Sequence, residues 1–445
     1  MPSVNSAERL ERIPVNKMHY RLLGIHGMGW MFDAMDVGII TFVLAALSVS
    51  WNLNPGQLGL IGSAGPLGMF VGAAASGWLA DRYGRKAVFQ TTLLIFSIAT
   101  LLNAFAWNLE SMLFFRFLVG LGLGGELPVV STLMSEFVPT KARGRFVVLL
   151  ESFWALGWLA AALVAFFVIP QYGWQAAFLI GALPAFYVWF VRRKLPESPR
   201  WLESQGRLKE AEEIMRSLED ESSRNIGKSL LNVPRTATPE PEKPMGLREL
   251  WSGEYFRRTL MLWITWFCLV FGYYGIFTWL PTLLVKAGFT ITKSFGYVLI
   301  ITLAQVPGYF SAAWLVERWG RRPTLAAYLA LTAVMAYFYG QSADINSILV
   351  FGALMSFFNL GAWGAIYAYT PELYPTRGRA SGAGFAASFG RIGGVIAPSA
   401  VGILLVGIGT SGVFAMNAVM LAIAGAAVLV LGPETKGLKL EQIAR

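Results

Sequence analysis

"DRYGRK" occupies residues 81–86 and returns as "ERWGRR" at 317–322, an offset of 236 residues. "EFVPTKAR" at 136–143 returns at the same offset as "ELYPTRGR" at 372–379, and "PESP" at 196–199 is echoed by "PETK" at 433–436. Matches at one constant offset mark a duplicated structural unit. What fills the space between them decides its kind. The chain of 445 residues is 55% hydrophobic and only 14% charged, against about 25% charged in a soluble domain. Apolar runs of bilayer-crossing length, about 20 residues, fall near 22–49, 57–80, 87–107, 111–137, 146–169 and 174–192. After a polar interval they resume near 258–284, 294–316, 323–340, 346–371, 381–407 and 411–432. The repeated hexapeptides follow the second run of each set. The expected fold is therefore an all-α membrane protein with twelve transmembrane helices in two six-helix halves. Copies running in the same direction are related by a pseudo-two-fold axis along the membrane normal.

The domain limits follow. Residues 1–21 form an N-terminal segment, 22–195 and 258–432 the two halves, 196–257 a linker and 433–445 a tail. Within the linker, "SQGRLKEAEEIMRSLED" has the spacing of a short surface helix, "PRTATPEPEKP" that of a flexible tether, and "MGLRELWSGEYFRR" that of an interfacial helix. The N-terminus shows no small-residue cleavage site after its first apolar run, which reads as a retained span.

Charge sets the orientation. If residue 1 is cytoplasmic, the outer loops hold only Lys286 and Lys293, and Arg116 and Arg391 lie inside spans. Every other Lys and Arg of the 36 faces the cytoplasm, a strong positive-inside pattern with both termini inside. The formal net charge of +10 thus reflects topology and contact with anionic lipid, not nucleic acid. One cysteine, Cys268, and two histidines, His19 and His26, exclude a disulfide framework and disfavour a metal cluster. No G-x-x-x-x-G-K-[ST] loop is present, so nucleotide hydrolysis is not the energy source. No cofactor and no enzymatic constellation is implied.

The repeated loops are candidate gates. Asp81, Arg82 and Arg85, with Glu317 and Arg321, cluster where a helix meets the cytoplasm, and Glu136 with Arg143 and Glu372 with Arg379 do so one hairpin later. Charge-assisted pairs between such loops can latch one face shut and break when it opens.

At these motifs the chain resembles the major facilitator superfamily. "GWLADRYGRK", "RFLVGLGLGGELP", "PESPRWL" and "PETKG" carry that resemblance over essentially the whole length. "DAMD" in the first span, "LLESFWALGWLAAAL", "FFNLGAWGAIYAYTPE" and "FGRIGG" are similar to bacterial niacin permeases, relatives of the SV2-like and aromatic acid:proton symporters. Two departures stand out. Ala34 replaces the glycine of the D-G-x-D motif usual in aromatic acid symporters, and span seven, "FCLVFGYYGIFTWLP", lacks the Gln-rich motif of sugar porters. The resemblance implies proton-coupled import of nicotinate by alternating access, in a multi-pass monomer of the bacterial inner membrane. Another aromatic or organic acid is the nearest alternative substrate. A non-transporting sensor on the same fold is the alternative of another class.

Ionisable residues inside spans are functional candidates because charge is costly there. Asp33 and Asp36 share one helix face near mid-membrane, and Glu126 lies near the middle of span four; an acid without a cation there is a candidate proton carrier. Arg391 lies ten residues into span eleven and is the natural partner of an anionic substrate, since guanidinium grips carboxylate bidentately. Asn359 and Gln305 lie at similar depth, whereas Arg116 and Glu151 lie nearer helix ends, where snorkelling competes. Of the many aromatics, Trp154, Tyr273, Tyr274 and Trp363 are the candidates for stacking on a flat ring. The acid pair is not duplicated: at the repeat offset Asp33 and Asp36 meet Leu269 and Gly272.

Overall fold

The computed structural model describes residues 6–226, 247–253 and 255–436. The side chains of Asp81, Arg143 and Arg379 and the tether 234–244 lie outside the described residues. The N-terminal part holds α1 (Ser6–Arg12), α2 (Lys17–Ser50), α3 (Pro55–Tyr83), α4 (Arg85–Asn103), α5 (Leu109–Phe137), α6 (Thr140–Gly181), α7 (Pro184–Lys194), α8 (Pro199–Ser204) and α9 (Leu208–Ile226). The remainder holds α10 (Leu247–Leu250), α11 (Tyr255–Phe277), α12 (Leu280–Lys286), α13 (Ile291–Leu303), α14 (Gln305–Arg318), α15 (Arg321–Gln341), α16 (Ile345–Tyr369), a 3₁₀ turn at Thr370–Leu373 and α17 (Thr376–Leu431).

Among the described residues eight helical stretches are long and apolar enough to cross a membrane. Two of them, Leu149–Tyr187 and Gly382–Leu431, are double crossings that reverse at Gly173 (φ 79°) and Gly409 (φ 65°). With α3 and α5 the crossings number twelve. Backbone inside hydrocarbon must satisfy its own polar groups, so only helices serve. Several of those helices start on side-chain caps. Asn54 and Thr290 cap α3 and α13, and Asn108 and Asp344 cap α5 and α16. Each pair stands at the repeat offset of 236, as do Gly173 and Gly409. The duplication therefore reaches caps and bends that the motifs did not disclose.

The hexapeptide glycines have a conformational reason. Gly84 and Gly320 carry φ of 102° and 114° with extended ψ, a region essentially reserved for glycine. A Cβ on either would also run into the carboxylate of Glu197 or Glu434. Close helix approach uses glycine differently: Gly68 and Gly72 of α3 and Gly120 and Gly124 of α5 let the two helices meet backbone against backbone.

The two halves meet along α3 and α17, α2 and α12, and α6 and α13. At the face away from the linker the α3–α17 seam is tight. Ser63 Oγ and Ser399 Oγ are 2.8 Å apart, the Trp279 indole donates to the Pro398 carbonyl at 3.2 Å, and Gly59, Gly62 and Gly402 leave no room for a Cβ.

The polar segments are more organised than a tail and a tether. Arg9 of α1 donates to Glu212 at 2.5 Å and to Glu219 at 2.7 Å on α9, Arg21 pairs with Glu221, and Arg200 with Glu11. Leu10, Ile13, Met215 and Leu218 are buried with them. An apolar stripe on α9 drives this docking, which charge patterning alone did not show.

Two outcomes are expected. Gly84→Ala or Gly320→Ala destabilises by about 1–3 kcal/mol through the forbidden φ, read as a lower thermal midpoint in detergent. Gly384→Ala, with open space around it, does not. The Arg9 hydrogen bond holds the Glu212 carboxylate below its ordinary value of 4.5, outweighing burial. The stabilisation is therefore fully present above 4.5 and is lost as pH falls through the depressed value. A spin label at Val15 stays immobile at neutral pH, loosens in acid below 4.5, and is mobile at all pH values in Arg9→Ala.

Candidate functional site

A cavity of about 140 Å³ lies between the halves. The N-terminal half contributes Trp30, Pro66, Met69, Glu151 and Trp154, and the C-terminal half contributes Trp266, Val270, Tyr273, Tyr274, Tyr309, Leu360, Trp363, Tyr367, Ala387, Arg391 and Gly394. Arg391, Trp154, Tyr273, Tyr274 and Trp363 are thus brought together. The Trp154 indole N–H donates across the halves to the Tyr273 hydroxyl at 2.9 Å. Trp30 packs on Trp154 with ring centroids 4.9 Å apart, and Tyr273 meets Trp363 edge to face at 5.6 Å. The walls are therefore flat rings held by one another. Arg391 donates to the Met69 carbonyl at 3.1 Å and has no acidic partner among the described residues. Its charge is left for something else.

Asn359 and Gln305 do not line this cavity. Both are fully buried, and their amides lack partners among the described residues. On α16 it is Leu360 and Trp363 that turn inward; Asn359 lies about 100° round the helix from Leu360. Gln305 starts α14, one turn before Tyr309, which does reach the cavity. Trp266 and Trp30, by contrast, stand 236 residues apart, so the repeat itself carried a signal for this pair of walls.

The three acids named as candidate proton carriers divide. Asp36 accepts from Arg116 at 2.9 Å and from the Thr100 hydroxyl at 2.9 Å. Arg116 is 2% exposed, so snorkelling does not describe it, and the acid's cation is Arg116, not Arg391. Asp33 is fully buried without any cation. It faces Glu126, and no donor among the described residues reaches any of their four oxygens. The Glu126 carboxylate also occupies the space beside Gly29, one turn before Asp33, where a Cβ would stand 2.6 Å from Oε1. Glu151 does not snorkel either: it is 4% exposed and lines the cavity.

Residues 36–445 match the model of the sugar (and other) transporter family. The chain belongs to that family, within the major facilitator superfamily. It is 53% identical over 436 residues to the niacin transporter NiaP of Acinetobacter baylyi, covering 98% of each chain. It is 49% identical to a putative niacin/nicotinamide transporter NiaP of Bacillus subtilis, covering 95% of this chain and 98% of that one. The inward-open xylose transporter XylE from E. coli shares the fold, with a TM-score of 0.76 at 17% identity over 96% of this chain and 99% of that one. The protein is a membrane transporter, not an enzyme.

In this transporter the repeated loops pair within each half. Arg85 lies 3.4 Å from Glu136 in the N-terminal half; Arg321 lies 3.1 Å from Glu372 and 3.0 Å from Glu317 in the C-terminal half. Arg82 is exposed beside Tyr83. Each of these pairs lies within its own half, and the side chains of Asp81, Arg143 and Arg379 lie outside the described residues. Sequence reasoning also missed their common anchor. The Glu197 carboxylate accepts from the Arg85 and Lys86 amides at 3.1 Å, and that of Glu434 from the Arg321 and Arg322 amides at 3.0 and 3.2 Å. These are the acids of "PESP" and "PETK", each seated at a helix N-terminus.

Unpairing a buried ion is expensive. Arg116→Leu or Asp36→Asn should each destabilise by about 3–5 kcal/mol, and the double variant by less than the sum. Thermal unfolding of the three variants in detergent measures this coupling.

Proposed function

We propose that this transporter imports nicotinate across the bacterial inner membrane by alternating access, together with a proton. One observation carries the reading: a ring-walled cavity between the halves holds a guanidinium, Arg391, with no acidic partner among the described residues. Aromatic walls suit a flat ring, and the guanidinium fork suits its carboxylate. The similarity to niacin transporters at about half identity supports the same substrate, and the positive-inside pattern supports cytoplasmic termini.

A monoanion entering against an inside-negative potential loses about 2.3 kcal/mol per 100 mV, and one accompanying proton cancels that loss. Asp33 and Glu126 are the proposed carrier pair. They are buried, face each other and receive no donor, so a proton shared between them removes like-charge contact. Asp36, already paired with Arg116, is left out of the proposed carrier pair. The pairs at Arg85–Glu136 and Arg321–Glu372 are the proposed gating elements. Each stiffens the linker-facing end of its own half, so that the halves rock as units.

Proteoliposomes test the reading. An inward proton gradient should drive accumulation of nicotinate above its external level; accumulation indifferent to the gradient refutes coupling. Arg391→Lys keeps charge but loses the fork, and should raise the half-saturation concentration about tenfold or more. Asp33→Asn or Glu126→Gln should retain nicotinate exchange while abolishing uphill uptake, whereas Asp36→Asn, which strands Arg116, should lose both.

A further inference from the structure

Glu151 is the ionisable group of the cavity that the scheme above leaves unused. It lies on the N-terminal wall, 4% exposed, on α6. No ion pair fixes its carboxyl among the described residues, and the donor facing it on its own half is the Trp30 indole. The hydroxyls of Tyr309 and Tyr367 lie within electrostatic reach on the other half. Tyr367 is also within reach of Arg391. The two charged groups thus belong to opposite halves of one cavity, unpaired with each other and near a common tyrosine. A carboxyl facing a site for anions is a liability unless the occupant offers it something.

Nicotinate offers a ring nitrogen meta to its carboxylate. With the carboxylate on Arg391, the nitrogen can be turned toward the other wall. A single proton between the Glu151 carboxyl and the ring nitrogen satisfies both, whether the acid donates to the nitrogen or the carboxylate accepts from a pyridinium N–H. Benzoate presents a C–H at the same place and offers the buried carboxyl no hydrogen bond, which sites built around a hydrogen bond to the ligand reject strongly.

We infer that Glu151 is a specificity-determining residue that recognises the pyridine nitrogen, so that the site selects pyridine carboxylates over benzene carboxylates. The inference rests on the nicotinate reading above.

Equilibrium binding of radiolabelled nicotinate to the full-length protein in detergent, with unlabelled benzoate as competitor, tests it. The unsubstituted protein should prefer nicotinate by at least about tenfold. Glu151→Gln, whose amide still donates to the nitrogen, should stay within about threefold of that preference. Glu151→Leu should lose about tenfold or more for nicotinate and bind benzoate as well as before or better, collapsing the ratio. Equal weakening of both acids in Glu151→Leu, or an unchanged ratio, overturns the role of Glu151. If that variant does not fold, the unsubstituted protein still decides: equal affinity for nicotinate and benzoate overturns the inference while the anion site stands. Binding of neither acid overturns the nicotinate reading itself.

Discussion

A buried ion pair orders the charges of this molecule. Arg116 and Asp36 meet at 2.9 Å with exposures of 2% and 0%, in surroundings where a lone charge costs several kcal/mol. Once they neutralise each other, the remaining groups take distinct parts. Asp33 is left to Glu126, acid against acid. Arg391, in the other half, is left to the cavity, and Glu151 to its opposite wall. The same residue types with another pairing, Arg391 on Asp36 for instance, would leave the cavity without its cation and would strand Arg116 in hydrocarbon. The location of binding chemistry is therefore a consequence of which charges are already satisfied.

The scaffold and the site obey different symmetries. Helix caps (Asn54 and Thr290, Asn108 and Asp344), bends (Gly173 and Gly409), loop glycines (Gly84 and Gly320) and the arginine–glutamate pairs of the loops recur at one offset. So do two walls of the cavity, Trp30 and Trp266. The charges do not: Glu151 corresponds to Ala387, itself in the cavity lining, and Arg391 to Ala155. Under the proposed function, two halves that rock against each other need the same mechanical parts, whereas the proposed solute, with one acidic end and one distinct ring edge, needs different groups on the two walls.

Glycine serves three separate physical ends here. At Gly84 and Gly320 it permits a backbone conformation forbidden to other residues and admits the carboxylate of Glu197 or Glu434 to the next helix N-terminus. Along α3 and α5 it allows backbones to touch within one half. Along α3 and α17 it seals the seam between halves, joined there by the Ser63–Ser399 contact. The first use was visible as a repeated motif and the second as glycine spacing within spans three residues or four apart. The third involves residues more than 300 positions apart in sequence and had no local signature.

Much was legible before any coordinates. Apolar run lengths determined the crossings, because hydrocarbon leaves the backbone no choice but helix. Lysine and arginine placement determined the expected orientation, and the constant offset determined the two-fold plan. Arg391 and four aromatics could be named because depth in a span follows from counting residues. Partner choice could not be counted. Arg116 looked like a helix-end residue and is a buried counter-ion; Asn359 and Gln305 looked like cavity residues and do not line it; Glu151 looked like a residue able to snorkel and stands in the cavity. Periodicity along one helix says which residues share a face, but the angle and distance to the next helix decide what that face meets. That is the information carried only by the tertiary structure.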